Sequence, residues 1–386
     1  MQRAPALHPG KITPEARYGY IPGLDGIRAF AVLVVLIAHL GFEHIIPGGF
    51  GVTVFFFISG FLITRLLLAE TLTSGRIGLK DFYIRRFLRL LPALYVMLAV
   101  TAAVMITMGE MPGLWETVGA VTYTTNIVAI SKYLTGAEWL APWDHLWSLA
   151  VEEHFYLLFP LLLMATARRP ATALRVCLIL CGLALAWRLV NIHLLGFPPG
   201  YNYVATEARM DSILWGCALS LSLHVAPQWT GWHRLIGWVP ILAAGLVLLA
   251  CFLIRDEDFR QTLRYALQGA SLFVLVLNLF FFRSVGWTTS LLEWPPLSWT
   301  GRVSYGLYIW HQPVLYFSRE YGGLAEGGAA FMATGVVLSF ALTALSYYGV
   351  ERPLIALRRR FGSHVASGAQ RVEVSGLAAE TGGQAK

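Results

Sequence analysis

In the stretch GLDGIRAFAVLVVLIAHLGF, residues 23–42, an apolar run carries Arg28 near its start and His39 near its end. Eleven helical steps of ~100° return to within ~20° of the starting direction, so both residues share one helix face, separated by ~16 Å of rise. A permanent cation at the mouth and a titratable base deeper in suit a path for an anionic ligand. Each also has a plainer reading: Arg28 as an arginine snorkelling at a helix start, His39 as a histidine satisfied inside a bundle. A second stretch, DHLWSLAVEEHFYLLFP (144–160), places His145, Ser148, Glu152 and Tyr156 on one face by i+3/i+4 spacing, with Glu153 about a quarter turn away. A carboxylate that orients and charges an imidazole is the usual partner of an embedded histidine base. The alternative is a structural glutamate bonded to a neighbouring helix.

A third stretch, DFYIRRFLRLLP (81–92), carries Arg85, Arg86 and Arg89, of which Arg86 and Arg89 share a face. Guanidinium groups grip phosphate bidentately, which fits a nucleotide-containing donor arriving from the cytoplasm. The bias of cytoplasmic loops toward arginine and lysine produces such clusters as well. Further cavity-lining candidates are Ser59 in GGFGVTVFFFISGFLIT, Ser148, Arg209 and Asp211 in ARMDSILWG, and Ser304, Tyr308 and His311 in SYGLYIWHQP. The last three follow i, i+4, i+7 spacing on one face. An ionisable residue inside an apolar span costs several kcal/mol, so each is a functional candidate by default.

The elements that must hold these residues follow from composition. The chain has 386 residues, 56% hydrophobic and only 13% charged, with a mean hydropathy of +0.61; soluble domains run at about 25% charged. This is a membrane composition. The excess of 29 basic over 22 acidic residues then marks cytoplasmic loops. No Arg/Lys stripe interleaved with aromatics points to nucleic acid. Apolar segments lie at roughly 27–42, 50–69, 88–108, 115–132, 146–166, 172–190, 209–225, 235–254, 263–282, 303–320 and 329–350. If all of them cross, nearly every basic cluster after the fourth falls on the outer side. If 115–132 does not cross, the arginine loops at 76–89 and 168–169 and the tail at Arg358–Arg360 all become cytoplasmic. That segment is also the least apolar, with Glu116, Asn126 and Lys132, and suits a re-entrant piece buried in protein.

The expected fold is therefore an all-α polytopic membrane protein with about ten transmembrane helices and one additional re-entrant or non-spanning segment. Residues 1–22 read as a cytoplasmic N-terminal tail, 23–355 as the membrane domain and 356–386 as a largely disordered cytoplasmic tail. No small-residue cleavage site follows the first run, which argues against a removed signal peptide. Cys177, Cys181, Cys217 and Cys251 all sit within apolar runs, so neither a disulfide nor a metal site is expected.

Taken together, GLDGIRAFAVLVVLIAHLGF, GVTVFFFISGFLIT, FYIRRFLRLLP, WSLAVEEHFY and SYGLYIWH stand in an order that resembles the membrane-bound acyltransferase 3 family, over about residues 20 to 355. The resemblance implies a multi-pass transferase that moves an acyl group, often acetyl from a CoA thioester, onto a hydroxyl of a glycan, a lipid-linked sugar or a secondary metabolite. It implies a cytoplasmic acyl-CoA donor, an acceptor modified outside, no metal, and residence in the inner membrane of a bacterial envelope with both termini cytoplasmic. It places the catalytic histidine at His39, the donor-side cations at Arg28, Arg86 and Arg89, and the acidic position at Glu152 with Glu153 beside it. On that basis Glu152 is expected to hold the His39 imidazole in the right tautomer while His39 deprotonates the acceptor. Transfer through an acyl group carried on His39 remains a variant. Two departures stand out: an esterase-like domain seen in some members is not expected here, and His154 occupies a position where a neutral polar residue is usual. A rival reading is a proton-coupled transporter or flippase using His39, Glu152 and Asp211 as a relay, which calls for paired broken helices in two related halves.

Overall fold

The computed structural model describes residues 21–166, 169–226, 230–281 and 286–354. Most of the expected N-terminal tail, Arg168, the Arg358–Arg360 cluster and the C-terminal tail lie outside those residues. Among the described residues the chain is helical and holds no strand. In chain order the helices are α1 (Leu24–Ile37), α2 (Gly48–Ser74), α3 (Leu79–Thr107), α4 (Leu114–Thr122), α5 (Thr125–Thr135), α6 (Trp147–Ala165), α7 (Pro170–Val190) and α8 (Pro199–Val204). They continue as α9 (Thr206–Val225), α10 (Trp238–Leu253), α11 (Glu257–Gln261), α12 (Leu263–Val276), α13 (Gly286–Leu292), α14 (Pro295–Arg302), α15 (Ser304–Glu320) and α16 (Ala329–Ser346).

Among the described residues six helical stretches are long and apolar enough to cross a membrane: Leu24–Phe42, Gly48–Ser74, Leu79–Thr107, Asp144–Ala165, Pro170–Leu195 and Ala329–Leu354. Trp238–Leu253 and Leu263–Leu279 are apolar but shorter. Helices α9 and α15 carry Arg209, Asp211 and His311 on buried positions, which lowers their hydropathy without making them surface helices. The segment 115–132 is not one helix. It breaks at Tyr123, whose φ of 57° makes it the one non-glycine residue with positive φ among the described residues. Two of the polar side chains that set this segment apart in sequence pair with each other: Lys132 Nζ lies 2.6 Å from Glu116 Oε1 across the hairpin of α4 and α5, and Leu140 N–H also donates to that carboxylate at 3.2 Å.

Glycine lets α2 and α9 approach closely. A Cβ on Gly60 would stand 2.0 Å from the Ile213 carbonyl oxygen, and one on Gly216 would stand 1.9 Å from that of Phe57. The α2 and α9 backbones therefore touch, as they can where small residues replace bulky ones between membrane helices. At its C-terminal end α1 opens into a π-helical turn, Ala38–Phe42. Gly41 there has φ 105° and packs so tightly on Gly327 that a Cβ would meet its Cα at 2.7 Å. His39 sits in this turn, the kind of helix irregularity that often marks a functional site.

Candidate active site

Helices α1 and α15 run alongside each other and bind their polar residues in two pairs. Arg28 Nη2 donates to Ser304 Oγ at 3.2 Å, and His39 Nδ1 lies 3.1 Å from His311 Nε2. Eleven residues on α1 thus match seven on α15; the reach of the arginine side chain takes up the difference in rise.

The His311 ring fixes the proton positions. Its Nδ1 is 2.6 Å from the Tyr308 carbonyl oxygen, which can only accept, so Nδ1 carries the proton and Nε2 of the neutral ring holds a lone pair. That lone pair must accept from His39 Nδ1–H, which leaves His39 Nε2 unprotonated and available as a base. The rings stack at 5.2 Å between centroids. His145 packs edge-on to His311 at 5.3 Å. Tyr308 donates to the His145 carbonyl at 2.8 Å and shares a 2.6 Å hydrogen bond with Ser148. The partner that sets the His39 tautomer is therefore His311, not Glu152. The carboxylate nearest to His39 Nε2 is Glu43, one turn on, at 3.7 Å.

Glu152 is engaged elsewhere. Its Oε1 accepts from Ser59 Oγ at 2.6 Å, from the Tyr156 hydroxyl at 2.7 Å and from Arg86 Nη2 at 3.1 Å. Arg86 Nε donates to Glu153 at 2.7 Å, and its guanidinium stands over the Tyr156 ring at 3.1 Å. The quarter turn between Glu152 and Glu153 lets both carboxylates hold one arginine. Arg86 is thus largely satisfied by protein, while Arg89 makes no hydrogen bond among the described residues and faces the same space. Arg85 reaches Glu70 at 3.5 Å.

These groups line a cavity of about 480 Å3 that contains Arg28, Arg85, Arg86 and Arg89 against Glu70, Glu152 and Glu153, and that ends on Ser59, Ser148, Ser304 and Tyr308. Tyr123, in its left-handed conformation, is part of the wall. His39 lies outside this wall and lines a second cavity of about 260 Å3. Tyr308, His311 and His39 form a file of rings between the two spaces, with Tyr308 and His311 at 5.6 Å.

Arg209 and Asp211 line neither cavity. Asp211 pairs with Arg188 at 2.8 Å, both side chains fully buried, and Arg188 also donates to the Thr262 and Ala208 carbonyls. This is a structural ion pair, so Asp211 is not in line with His39 and the relay of the transporter reading is not favoured. Arg209 is fully buried among aromatic rings, 3.9 Å from the Tyr265 centroid. His154 bonds Thr206 Oγ1 at 2.9 Å and takes no part in either cavity. All four cysteines are buried and free. Sequence reasoning passed over Arg188, although an arginine in the middle of an apolar run is itself the signal. It also passed over Glu43, which only the i+4 spacing from His39 could have flagged.

A bundle of apolar helices thus holds a half-buried histidine, His39, hydrogen-bonded to His311 beside two cavities, one of them lined by four arginines. Residues 21–348 match the acyltransferase domain family, and the chain belongs to that family. It is similar to the peptidoglycan O-acetyltransferase OatA of Listeria monocytogenes, 30% identical over 87% of this chain and 56% of the relative. The provisionally named peptidoglycan O-acetyltransferase YrhL of Bacillus subtilis is 32% identical over 87% of this chain and 55% of its own length. The chain therefore spans little more than half the length of these relatives. No solved structure matches it.

Proposed function

We propose that the protein is an O-acyltransferase that takes an acyl group, most simply acetyl, from cytoplasmic acyl-CoA and delivers it to a carbohydrate hydroxyl on the outer side of the inner membrane. The observation that carries this reading is the position of His39, whose free Nε2 faces one cavity while its Nδ1 is tied, through His311 and Tyr308, to the wall of the other. The relatives' names, which specify O-acetylation of peptidoglycan, support the choice of acyl group and acceptor class.

The topology behind it has ten spans and both termini in the cytoplasm, with the α4–α5 hairpin left uncrossed. Neither arm of that hairpin, at 9 and 11 residues, reaches the ~20 residues a crossing needs. The larger cavity then opens toward the cytoplasm. CoA phosphates would rest on Arg89 and Arg28, with Arg86 held in place by Glu152 and Glu153, and the pantetheine arm would pass Ser148 and Tyr308 to bring the thioester to His39.

In the transfer, His39 Nε2 removes the proton from the acceptor hydroxyl as its oxygen attacks the thioester carbonyl carbon. The new C–O bond forms, the C–S bond breaks, and the departing thiolate takes the proton from the imidazolium. Glu43 faces the N–H that forms transiently, and the Tyr308 carbonyl anchors the far end of the relay. General-base catalysis of this type contributes typically ~10²–10⁴ in rate. The test is equilibrium binding of acetyl-CoA to the protein in nanodiscs: saturable binding weakened about tenfold by Arg89→Gln supports the donor site. Absence of binding by folded wild-type protein refutes it.

A further inference from the structure

We infer that the second cavity is the acceptor site and that it selects a negatively charged sugar, holding an oxyanion on its arginines while a hydroxyl meets His39. The inference rests on the transferase reading for the role of His39, but the pocket itself is read from its own residues. Arg255, Arg260 and Arg264 line it, along with Gln261, Tyr265 and the base His39. Its opposing acid in the lining is Glu43, whose side chain is 67% exposed. Two of the three acids of the neighbouring 256–258 turn are already used: Asp256 caps α11 by accepting from Phe259 N–H at 2.8 Å, and Glu257 accepts from Gln261 at 2.8 Å and faces Arg260 at 3.5 Å.

Two buried groups in this pocket point to a ligand that is both anionic and hydroxylated. Arg264 Nε–H is buried with no hydrogen-bond partner, while its Nη2 donates to the Tyr265 hydroxyl at 3.2 Å. Gln261 is 8% exposed, and its amide oxygen is likewise buried without a donor. An unmade hydrogen bond on a buried group is unfavourable, and an oxyanion on Arg264 together with a sugar hydroxyl on Gln261 would satisfy both. Behind the Tyr265 ring stands fully buried Arg209, with Nε and Nη1 unpartnered; its positive charge lies 3.9 Å from the ring centroid and adds to the field in the pocket. Under the ten-span topology the arginines of the 255–264 turn sit on the outer side. That runs against the usual bias of arginine toward the cytoplasm and calls for a reason of its own.

The shared chemistry is a sugar ring bearing a carboxylate or a phosphate, and two probes separate the sources. N-acetylmuramic acid carries a carboxylate on the ring substituent; N-acetylglucosamine 1-phosphate carries the phosphate of a carrier-linked sugar; neutral N-acetylglucosamine is the reference. Binding of each to full-length protein in nanodiscs is measured by calorimetry without donor, at low and high salt, alongside acetyl-CoA binding to the same samples. One charged probe should bind at least about tenfold tighter than the neutral sugar, weaken with salt, and lose about tenfold in Arg264→Gln; the tighter of the two names the source. If Arg264→Gln does not fold, charge selectivity and salt dependence of the wild type still decide the matter. Acetyl-CoA binding with charged and neutral sugars bound alike, or not bound up to millimolar concentration, overturns this inference and leaves the transferase reading intact. Charged-sugar binding without acetyl-CoA binding does the reverse.

Discussion

Removal of the His311 imidazole should disable His39 without displacing the donor. In His311→Ala the His39 Nδ1–H, now 3.1 Å from Nε2 of His311, loses its acceptor on a side chain only 26% exposed. Leaving such a donor unsatisfied costs about 1–3 kcal/mol, and the ring can regain a partner only by turning or by moving its proton to Nε2, the nitrogen that must stay free. At 1.36 kcal/mol per factor of ten this corresponds to a loss of roughly 5- to 150-fold in kcat. His311→Gln offers an amide oxygen that can accept from Nδ1–H and should recover most of the loss. The assay is acetyl-CoA turnover at saturating donor in nanodiscs, with donor Kd and melting temperature measured on the same preparations. The reasoning fails if folded His311→Ala turns over at the wild-type rate, if the loss lies wholly in donor affinity, or if Gln is no better than Ala.

Other outcomes follow from the same contacts. Arg86→Ala leaves Glu152 and Glu153, 16% and 22% exposed, without their cation and should destabilise the protein, by less than the about 3–5 kcal/mol of a fully buried pair, read as a lowered melting temperature. Arg89→Gln, which breaks no hydrogen bond, should lower donor affinity while leaving the melting temperature unchanged. Asp211→Asn strips Arg188 of its buried partner and should lower the melting temperature by a comparable energy, with acetyl-CoA affinity of the folded fraction preserved; a specific loss of turnover instead would revive the relay. Gly216→Val puts a side chain where Phe57 O already lies 1.9 Å from a Cβ and should cost about 3 kcal/mol or more in stability.

Helical periodicity made one half of the site legible in the sequence. Arg28 and His39 do share a face, and both look toward α15, because the spacing of eleven residues survives even the π-helical turn around His39. The polar character of 115–132 likewise announced a segment that does not behave like its neighbours, and the Glu116–Lys132 pair explains why. What spacing within one helix cannot give is the partner on another. His39 finds His311 across 272 residues, and Ser59 finds Glu152 across 93. Glu152 lay on the expected helix face, yet Arg86, Ser59 and Tyr156 take its oxygen and hold it away from His39. Asp211 was read as functional for being ionisable inside a span, a rule that cannot see Arg188 waiting on the adjacent helix. The second cavity was hidden for the same reason: its arginines come from the connection between α10 and α12 and from the first turn of α12, whose approach to His39 is purely tertiary.

The central claim is that His39 is the base of an acyl transfer from CoA, and the most direct measurement is single-turnover release of acetate or acetylated product from saturating acetyl-CoA by wild type and His39→Ala. General-base catalysis by His39 predicts a fall of ~10²–10⁴ in rate with donor affinity unchanged. Equal rates in the two proteins, with both folded and both binding donor, would contradict it.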